Sequence, residues 1–545
     1  MGIPSYFSYL VKNHPTIIKK FTPQLFPIHN LYLDCNSIIY DIYHTTSWDN
    51  LNEHITVQII TLVIAKIEEY ISIIKPTNTV IIAFDGVAPV AKLEQQRSRR
   101  YKSWYQNNMS KHIFKQTKAD PWNTTEITPG TIFMNKLNIR ISEHFTSQLI
   151  TKYCVNDIIV SGSNKVGEGE YKLFEYIRKE PLKHEHETTV IYGLDADLIM
   201  LSINHIPICP NIYLFRETPS FIQSIDSSLE PNANYFLDIP ELSNTIIDLM
   251  NNERVLSATV KRNKVYDYIF MCFFLGNDFL PHFPAINIRT GGIDKMINAY
   301  KATIGTTDEN LTDGRQIFWN NVRILVEFLA NNEQDFINTE HQLRTKKELY
   351  KMADTTPQEK HNKFELTPVY NREVEKYINP KTAYWQSRYY RAMFAIQNDD
   401  DNRQKQAVAV NYLQGLEWNM KYYTSNCPDW RWKYNYHYPP LLQDLIKYIP
   451  IFNTTYFPLE IYNPVSDMVQ LCYVLPPASL HLLPTHIHTK LIRNYNHWYK
   501  GNWEFVWAYC RYFWECHVQM EDININELES VVNNITPTEK KMRPI

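Results

Sequence analysis

LYLD (31–34), VIIAFD (80–85), VIYGLDAD (190–197) and MCFFLGND (271–278) are apolar runs that each end in carboxylates: Asp34, Asp85, Asp195 with Asp197, and Asp278. Rich in Ile, Val, Leu and Phe and without polar alternation, they read as central strands buried on both faces. In an open α/β sheet the carboxyl ends of such strands line the ligand crevice. A further acidic pair, Glu168 and Glu170 in VGEGEYK (166–172), opens a segment with helical character. Taken singly, an aspartate at a strand end is a turn residue or a helix N-cap. The repetition changes the reading, because carboxylates gathered in one crevice repel one another unless cations hold them. Oxygen ligands specify Mg²⁺, with Mn²⁺ as a substitute. Gly169 and Ala196, between the paired acids, leave room for close approach.

At 545 residues the chain suggests two or three domains with a large buried core. A formal charge of -3 excludes a generally basic nucleic-acid coat, so a polyanion must bind at local patches. Cys35, Cys154, Cys209, Cys272, Cys427, Cys472, Cys510 and Cys516 form no CxxC pair and read as free thiols in a reducing compartment. No run is long and apolar enough for a membrane span, so a soluble, intracellular protein without a membrane partner is expected.

Residues 1–300 alternate strand-like and helix-like segments, the mark of an α/β layer, and the first domain is expected to span 1–330. Helices are expected at 59–75, 171–179 and 263–275, the last overlapping the fourth apolar run. Residues 331–370 are polar without a sustained apolar face and read as a charged helix running into a flexible connector. Leu413, Leu416, Met420 and Tyr423 recur at helical spacing, so 371–490 reads as a second, mainly helical region. Residues 491–545 form a short C-terminal segment with a tail, TPTEKKMRPI, expected to be disordered.

Directly after Asp85, GVAPVAKLEQQRSRRYKSW carries a basic stripe. At about 100° per residue, Lys92, Gln96, Arg99 and Arg100 fall near 0°, 40°, −20° and 80°, while Arg97 points elsewhere. Basic runs are ordinarily solvated helix faces. Beside an acidic crevice, this one suits a terminal phosphate.

MGIPSYFSYL, LYLDCNSIIYD, FDGVAPVAKLEQQRSRRY, ITPGTIFM, GEGEYK, YGLDADLIML, FRE (215–217) and FMCFFLGNDFLPHFP, in this order, resemble the XRN-type 5′→3′ exoribonucleases. WQSRYY, YLQGLEWNMKYY and CPDWRWKYNYHYPP resemble that family's second conserved region. The resemblance implies a PIN/FEN-like α/β nuclease core with a mostly parallel sheet, enclosed by the helical second region. It implies a Mg²⁺-dependent enzyme that processively removes mononucleotides from single-stranded RNA bearing a 5′-monophosphate, by hydrolysis with two metal ions. The metal and catalytic set would be Asp34, Asp85, Glu168, Glu170, Asp195, Asp197 and Asp278, and the 5′-phosphate pocket Lys92, Gln96, Arg99 and Arg100. Decapping machinery as a partner, a monomeric state and a cytoplasmic location follow from the same resemblance.

Several features depart from the family pattern. Tyr40 stands where a His usually stacks on the 5′ base, and Ser8 replaces a basic residue in the family's FFRWL opening. The chain ends before the β-rich modules of long cytoplasmic members and has no Cys/His zinc knuckle. Its FWECH segment (513–517) places Trp514 as the second stacking ring, against the alternative of a core Trp. A flap-type 5′ DNA nuclease and a catalytically idle RNA-binding scaffold are the rival functions. A D-x-D phosphatase fits least, since the first strand is followed by DCNS.

Overall fold

The apolar runs become strands because both of their faces find dry partners. The structure, a computed structural model, describes residues 2–22, 27–48, 54–116, 120–397 and 402–534. Its central sheet has seven strands: β1 (Ile18–Lys20), β2 (Asn30–Asp34), β3 (Thr79–Ala83), β4 (Asp157–Ser161), β5 (Thr189–Tyr192), β6 (Ile212–Glu217) and β7 (Asn234–Asp238), in the order β1-β7-β6-β5-β2-β3-β4. The five from β6 to β4 are parallel, while β7 runs antiparallel to both β6 and β1. Leu31, Leu33, Val80, Ile82, Val190 and Tyr192 pack into the layer on one face. Tyr32, Ile81, Ala83 and Ile191 pack into the layer on the other. That is the mixed α/β architecture expected, with helices covering a mostly parallel sheet.

The chain steps from β2 to β3 to β4 on one side and then returns to lay β5 against the opposite flank of β2. The strand order therefore reverses between β2 and β5, the place where open α/β sheets bind their ligands. Asp34 is the last residue of β2, paired with Ala83 of β3, and Asp85 lies two residues further on.

The run 271–278 is not a strand, which corrects the reading of Asp278. Helix Ala258–Cys272 is capped by Ser257, whose hydroxyl accepts from the Val260 N–H, and it tightens into a 3-10 turn at Phe273–Leu275. The overlapping helix expected at 263–275 is the element that forms. The run is continuously apolar because the helix end is buried all round, a pattern that short segments share with central strands. Gly276 then adopts φ 82, where a Cβ would meet the His282 backbone nitrogen at 2.6 Å. Asn277 Oδ1 accepts from the Phe279 and Leu280 N–H groups, both at 2.9 Å. This loop, rather than a strand end, presents Asp278.

Residues 331–370 are largely helical, in Glu333–Glu348, Pro357–Glu365 and Thr367–Tyr370. The first of these buries Glu333, Ile337, Glu340 and Arg344. Its inner face is polar because it is ionically paired: Arg344 Nη2 lies 2.7 Å from Glu375 Oε1, and Arg372 Nε 2.6 Å from Glu375 Oε2. A missing apolar face therefore did not mean a solvated segment. Between 371 and 490 the described elements are helical, the longest being Asn402–Thr424. One hydrophobic core runs from Ile3 to Tyr509 and includes residues of both halves.

The C-terminal segment forms a two-stranded ribbon, β8 (Glu504–Val506) with β9 (His517–Gln519). Lys102 Nζ ties it to helix Val90–Phe114, donating to the Trp514 and Cys516 carbonyls at 2.8 and 2.7 Å. The tail 536–545 lies outside the described residues. All eight cysteines are free thiols, with only Cys154 exposed. Among the described residues, no helix is long and apolar enough to cross a membrane.

Candidate active site

Asp34 opens the site from the end of β2. Its Oδ1 is buried and has no hydrogen-bond partner. Gly169 packs so close that a Cβ there would lie 2.3 Å from this oxygen, which explains why the acidic pair Glu168 and Glu170 is separated by a glycine. Burial drives the Asp34 carboxyl well above the usual carboxylate range, and Asp85, Asp195 and Glu168 push it further while Lys92 opposes them. Asp85 is anchored at both oxygens: Oδ2 accepts from Asn36 Nδ2 at 2.7 Å and Oδ1 from the Gly169 N–H at 2.7 Å.

Glu168 is the N-cap residue of helix Gly169–Lys179, and Glu170 lies in its first turn. Burial raises both carboxyls, with Lys92 as the largest opposing influence. Beyond β5 the chain turns through Asp195 into helix Asp197–Asn204, and the Asp197 N–H donates to Asp195 Oδ1 at 3.3 Å. Burial pushes Asp197 up to about 7, assisted by Asp195 and Asp278. Each of Asp34, Asp85, Glu168, Glu170, Asp195, Asp197 and Asp278 lies close enough to at least one other of the set for their charges to interact.

The residues of the basic stripe share one helix but differ in burial and partners. Lys92 is buried, and its ammonium bridges Glu168 Oε1 at 2.7 Å and Asp278 Oδ2 at 2.8 Å. It is therefore a counter-ion at the edge of the acidic cluster. Burial opposes its charge, yet Asp278 and Glu168 hold the ammonium well above its usual range. Gln96 is also buried, and Gln96 Oε1 and Arg100 Nη1 are buried without hydrogen-bond partners. Burial lowers Arg100 to about 10, while Tyr40 favours its charge. Arg97 does point elsewhere, donating to the Glu521 and Trp498 carbonyls at 2.8 and 3.0 Å.

Arg99 and Asp278 line a cavity of about 360 Å³ whose other walls include His437, Arg289 and Trp514. The Trp514 ring stacks on Tyr512 at 6.0 Å and 12°. Tyr40 is not among the residues lining this cavity; it packs partly against the hydrophobic layer on the opposite face of the sheet. The two rings expected to sandwich bases are thus assigned to different surroundings.

Several site residues were not foreseen. Tyr422 Oη donates to Glu168 Oε2 and Tyr423 Oη to Asp197 Oδ1, at 2.9 and 2.8 Å. The spacing of Tyr423 with Leu413, Leu416 and Met420 signals a core face, and both rings are indeed buried. The hydroxyls at their tips carried no separate signal. Asn36, in DCNS, clamps Asp85 through its own side chain; its place just after β2 was the available clue.

These residues fit divalent cations in chemistry, since the donors are hard oxygens, burial raises the carboxyls of Asp34, Glu168, Glu170 and Asp197, and Asp34 Oδ1 is orphaned. Among the described residues, no three of these side chains already close around one point as a finished ligand shell. The arrangement is a gathering of ligands with Lys92 as a cation at its edge.

Two family models match the chain: the XRN 5′-3′ exonuclease N-terminus over residues 1–218, and the Xrn1 helical domain over 260–382 and 371–541. The 5′-3′ exoribonuclease 2 homolog of Drosophila melanogaster is 26% identical over 600 residues, covering 89% of this chain and 65% of the relative. The 5′-3′ exoribonuclease 1 of Saccharomyces cerevisiae is 26% identical over 621 residues, covering 89% and 40%. The 5′-3′ exoribonuclease 2 of Arabidopsis thaliana is 24% identical over 636 residues, covering 89% and 62%. The chain thus spans between 40% and 65% of the length of these relatives. It belongs to the XRN family of 5′-3′ exonucleases.

Proposed function

We propose that this XRN-family chain is a 5′→3′ exoribonuclease that hydrolyses single-stranded RNA bearing a 5′-monophosphate, releasing mononucleotides processively. The observation that carries the reading is the acidic cluster at the carboxyl end of the sheet, in which Lys92 bridges Glu168 and Asp278, next to a cavity edged by Arg99. The names of the relatives support the same activity.

Asp34, Asp85, Glu168, Glu170, Asp195, Asp197 and Asp278 would hold two Mg²⁺ ions, with Mn²⁺ as a substitute. Divalent ions held there would supply activation of water and charge stabilisation at the scissile phosphodiester. The protein's own groups do the positioning. Asn36 and the Gly169 N–H fix Asp85, Tyr422 and Tyr423 fix Glu168 and Asp197, and Lys92 limits repulsion between Glu168 and Asp278. Lys92, Gln96, Arg99 and Arg100 bind the 5′-phosphate. The unpartnered Arg100 Nη1 supports that role, since a buried guanidinium N–H needs an acceptor. A pocket of limited size rejects a cap or a triphosphate. The substrate must come from a reaction that leaves a 5′-monophosphate, such as decapping, which fits a monomer acting in cytoplasmic RNA decay.

Digestion of 5′-labelled and 3′-labelled RNA in Mg²⁺ tests the reading. Immediate release of labelled mononucleotide from the 5′ end, with the 3′ label staying on long RNA until late, is expected. Preferential cutting of flap DNA, or undiminished hydrolysis in excess EDTA, overturns it.

A further inference from the structure

A cavity of about 360 Å³ holds a single nucleotide or little more. A longer RNA whose 5′ end is seated there must leave along some surface. Arg289 and Asn287 line this cavity and also a second, much smaller one of about 20 Å³, whose walls include Lys347 and Arg511. The segment carrying Arg289 is thus the partition between the two.

Cationic and aromatic groups alternate across that partition. Two guanidiniums lie near the Tyr512 ring, with Arg289 Cζ 5.7 Å and Arg511 Cζ 5.1 Å from its centroid. Its other neighbour is Trp514, already in the larger cavity. Two of the local cations are engaged: Arg289 Nη2 is 2.6 Å from Glu515 Oε1, and Arg344 pairs with Glu375. Lys347 and Arg511 have no carboxylate within ion-pair distance among the described residues. Lys347 sits in the last turn of helix Glu333–Glu348, where the helix dipole favours a cation. That accounts for a single lysine but not for guanidiniums converging on it. Burial lowers its ammonium, and Arg511, Arg344 and Arg289 lower it further against Glu340. Such a grouping is relieved by a polyanion, and stacked rings interleaved with cations are how proteins hold single-stranded nucleic acid without reading its sequence.

We propose that Lys347 and Arg511, reached past Arg289 and Tyr512, bind the sugar–phosphate backbone of single-stranded RNA downstream of its 5′ nucleotide. The inference rests on the exoribonuclease reading above and adds a second, sequence-independent contact stretch to it. By holding the RNA between cleavage steps, the stretch favours removal of several nucleotides per encounter.

The test is fluorescence anisotropy of the full chain in EDTA with a 5′-monophosphorylated trinucleotide and a dodecanucleotide. In Lys347→Glu/Arg511→Glu, dodecanucleotide affinity should fall about tenfold while the trinucleotide binds as in the wild type. The slope of log affinity against log salt for the dodecanucleotide should shrink by about 1.4, two contacts at roughly 0.7 each. Lys347→Arg/Arg511→Lys, which keeps both charges, should bind like the wild type and shows that charge rather than local folding is read. Unchanged dodecanucleotide binding in the charge-reversed variant, or equal loss for both lengths, overturns the proposal. Polyglutamate competing as strongly as RNA also overturns it, marking an acidic protein as the ligand. A wild type that binds neither oligonucleotide overturns the exoribonuclease reading itself.

Discussion

Tyr422, on helix Asn402–Thr424, donates its hydroxyl to Glu168 Oε2 across 254 residues of sequence, and its neighbour Tyr423 does the same for Asp197. Successive residues on a helix point about 100° apart, so adjacent tyrosines can reach carboxylates on two different elements. Stacking on Trp418 (4.9 Å) and Tyr171 (5.5 Å) fixes the direction of the Tyr422 ring. Burial keeps both phenols protonated, and the adjacent carboxylates reinforce this. Tyr422→Phe and Tyr423→Phe should each remove a bond to an ionised group worth about 1.5–3 kcal/mol. Each carboxylate then ionises less readily, so Mn²⁺ binding followed by electron paramagnetic resonance should shift to about tenfold higher concentration, with kcat falling in parallel. Wild-type Mn²⁺ affinity in both variants would exclude the tyrosines as positioning residues.

Arg99 and Arg100 are consecutive yet differently placed: Arg99 faces the cavity, and Arg100 is half-buried with its Nη1 buried and unpartnered. Arg99→Ala and Arg100→Ala should both lower kcat/KM on 5′-monophosphate RNA by about tenfold or more, and change little on 5′-hydroxyl RNA. The ratio of the two substrates for each variant is the measurement. Equal loss on both ends assigns the arginines to nonspecific RNA contact.

Trp514 lines the cavity, whereas Tyr40 lies against the hydrophobic layer beyond Arg100. A stacking ring is worth about 1–3 kcal/mol of RNA affinity. Trp514→Ala should therefore weaken RNA binding by that amount with a small change in Tm. If Tyr40 stacks on the 5′ base, Tyr40→Ala should do likewise and Tyr40→His should be nearly silent. A lowered Tm with unchanged affinity per folded molecule identifies either ring as purely structural.

Asp267 offers a pH test remote from the carboxylate cluster. It is fully buried and accepts from Tyr300 Oη at 2.7 Å and from the Leu311 and Thr312 N–H groups at 2.8 and 3.0 Å. Burial raises its carboxyl to about 7, with the Tyr300 and backbone hydrogen bonds opposing the rise. The native state therefore holds a proton that the unfolded chain has released above pH ~4. The stability from this proton is complete below pH ~4 and is lost as pH rises through about 7. Asp267→Asn cannot titrate, and its amide can still accept at Oδ1 while the Tyr300 hydroxyl turns to accept. Relative to wild type, its stability in urea should rise between pH 5 and pH 8 by about 1–3 kcal/mol. A constant difference across that interval would show that Asp267 stays ionised throughout.

The local pattern of the chain determined a good part of this molecule. Continuous apolar runs such as Leu31–Leu33 and Val80–Ala83 specify strands dry on both faces, and the carboxylates that end or follow them are carried to one edge of the sheet. The 100° step of a helix separates Arg97 from Lys92, Gln96 and Arg100, and it does so in the fold. These features depend only on neighbours a few residues away, and backbone geometry transmits them directly.

Tertiary structure alone decided the rest. Whether 271–278 was strand or helix turned on what surrounds it, because a short apolar run satisfies either environment. Asp278 is consequently aimed by a loop at Gly276. Packing placed Lys92 between Glu168 and Asp278, where an ammonium lowers the repulsion of buried acids. The polar face of Glu333–Glu348 looked solvated until Glu375 arrived to pair with Arg344. The hydroxyls of Tyr422 and Tyr423 acquired a role only when the second half of the chain closed over the first. A hydrogen-bond or ion-pair partner far away in sequence leaves no periodic mark, because long-range packing chooses it.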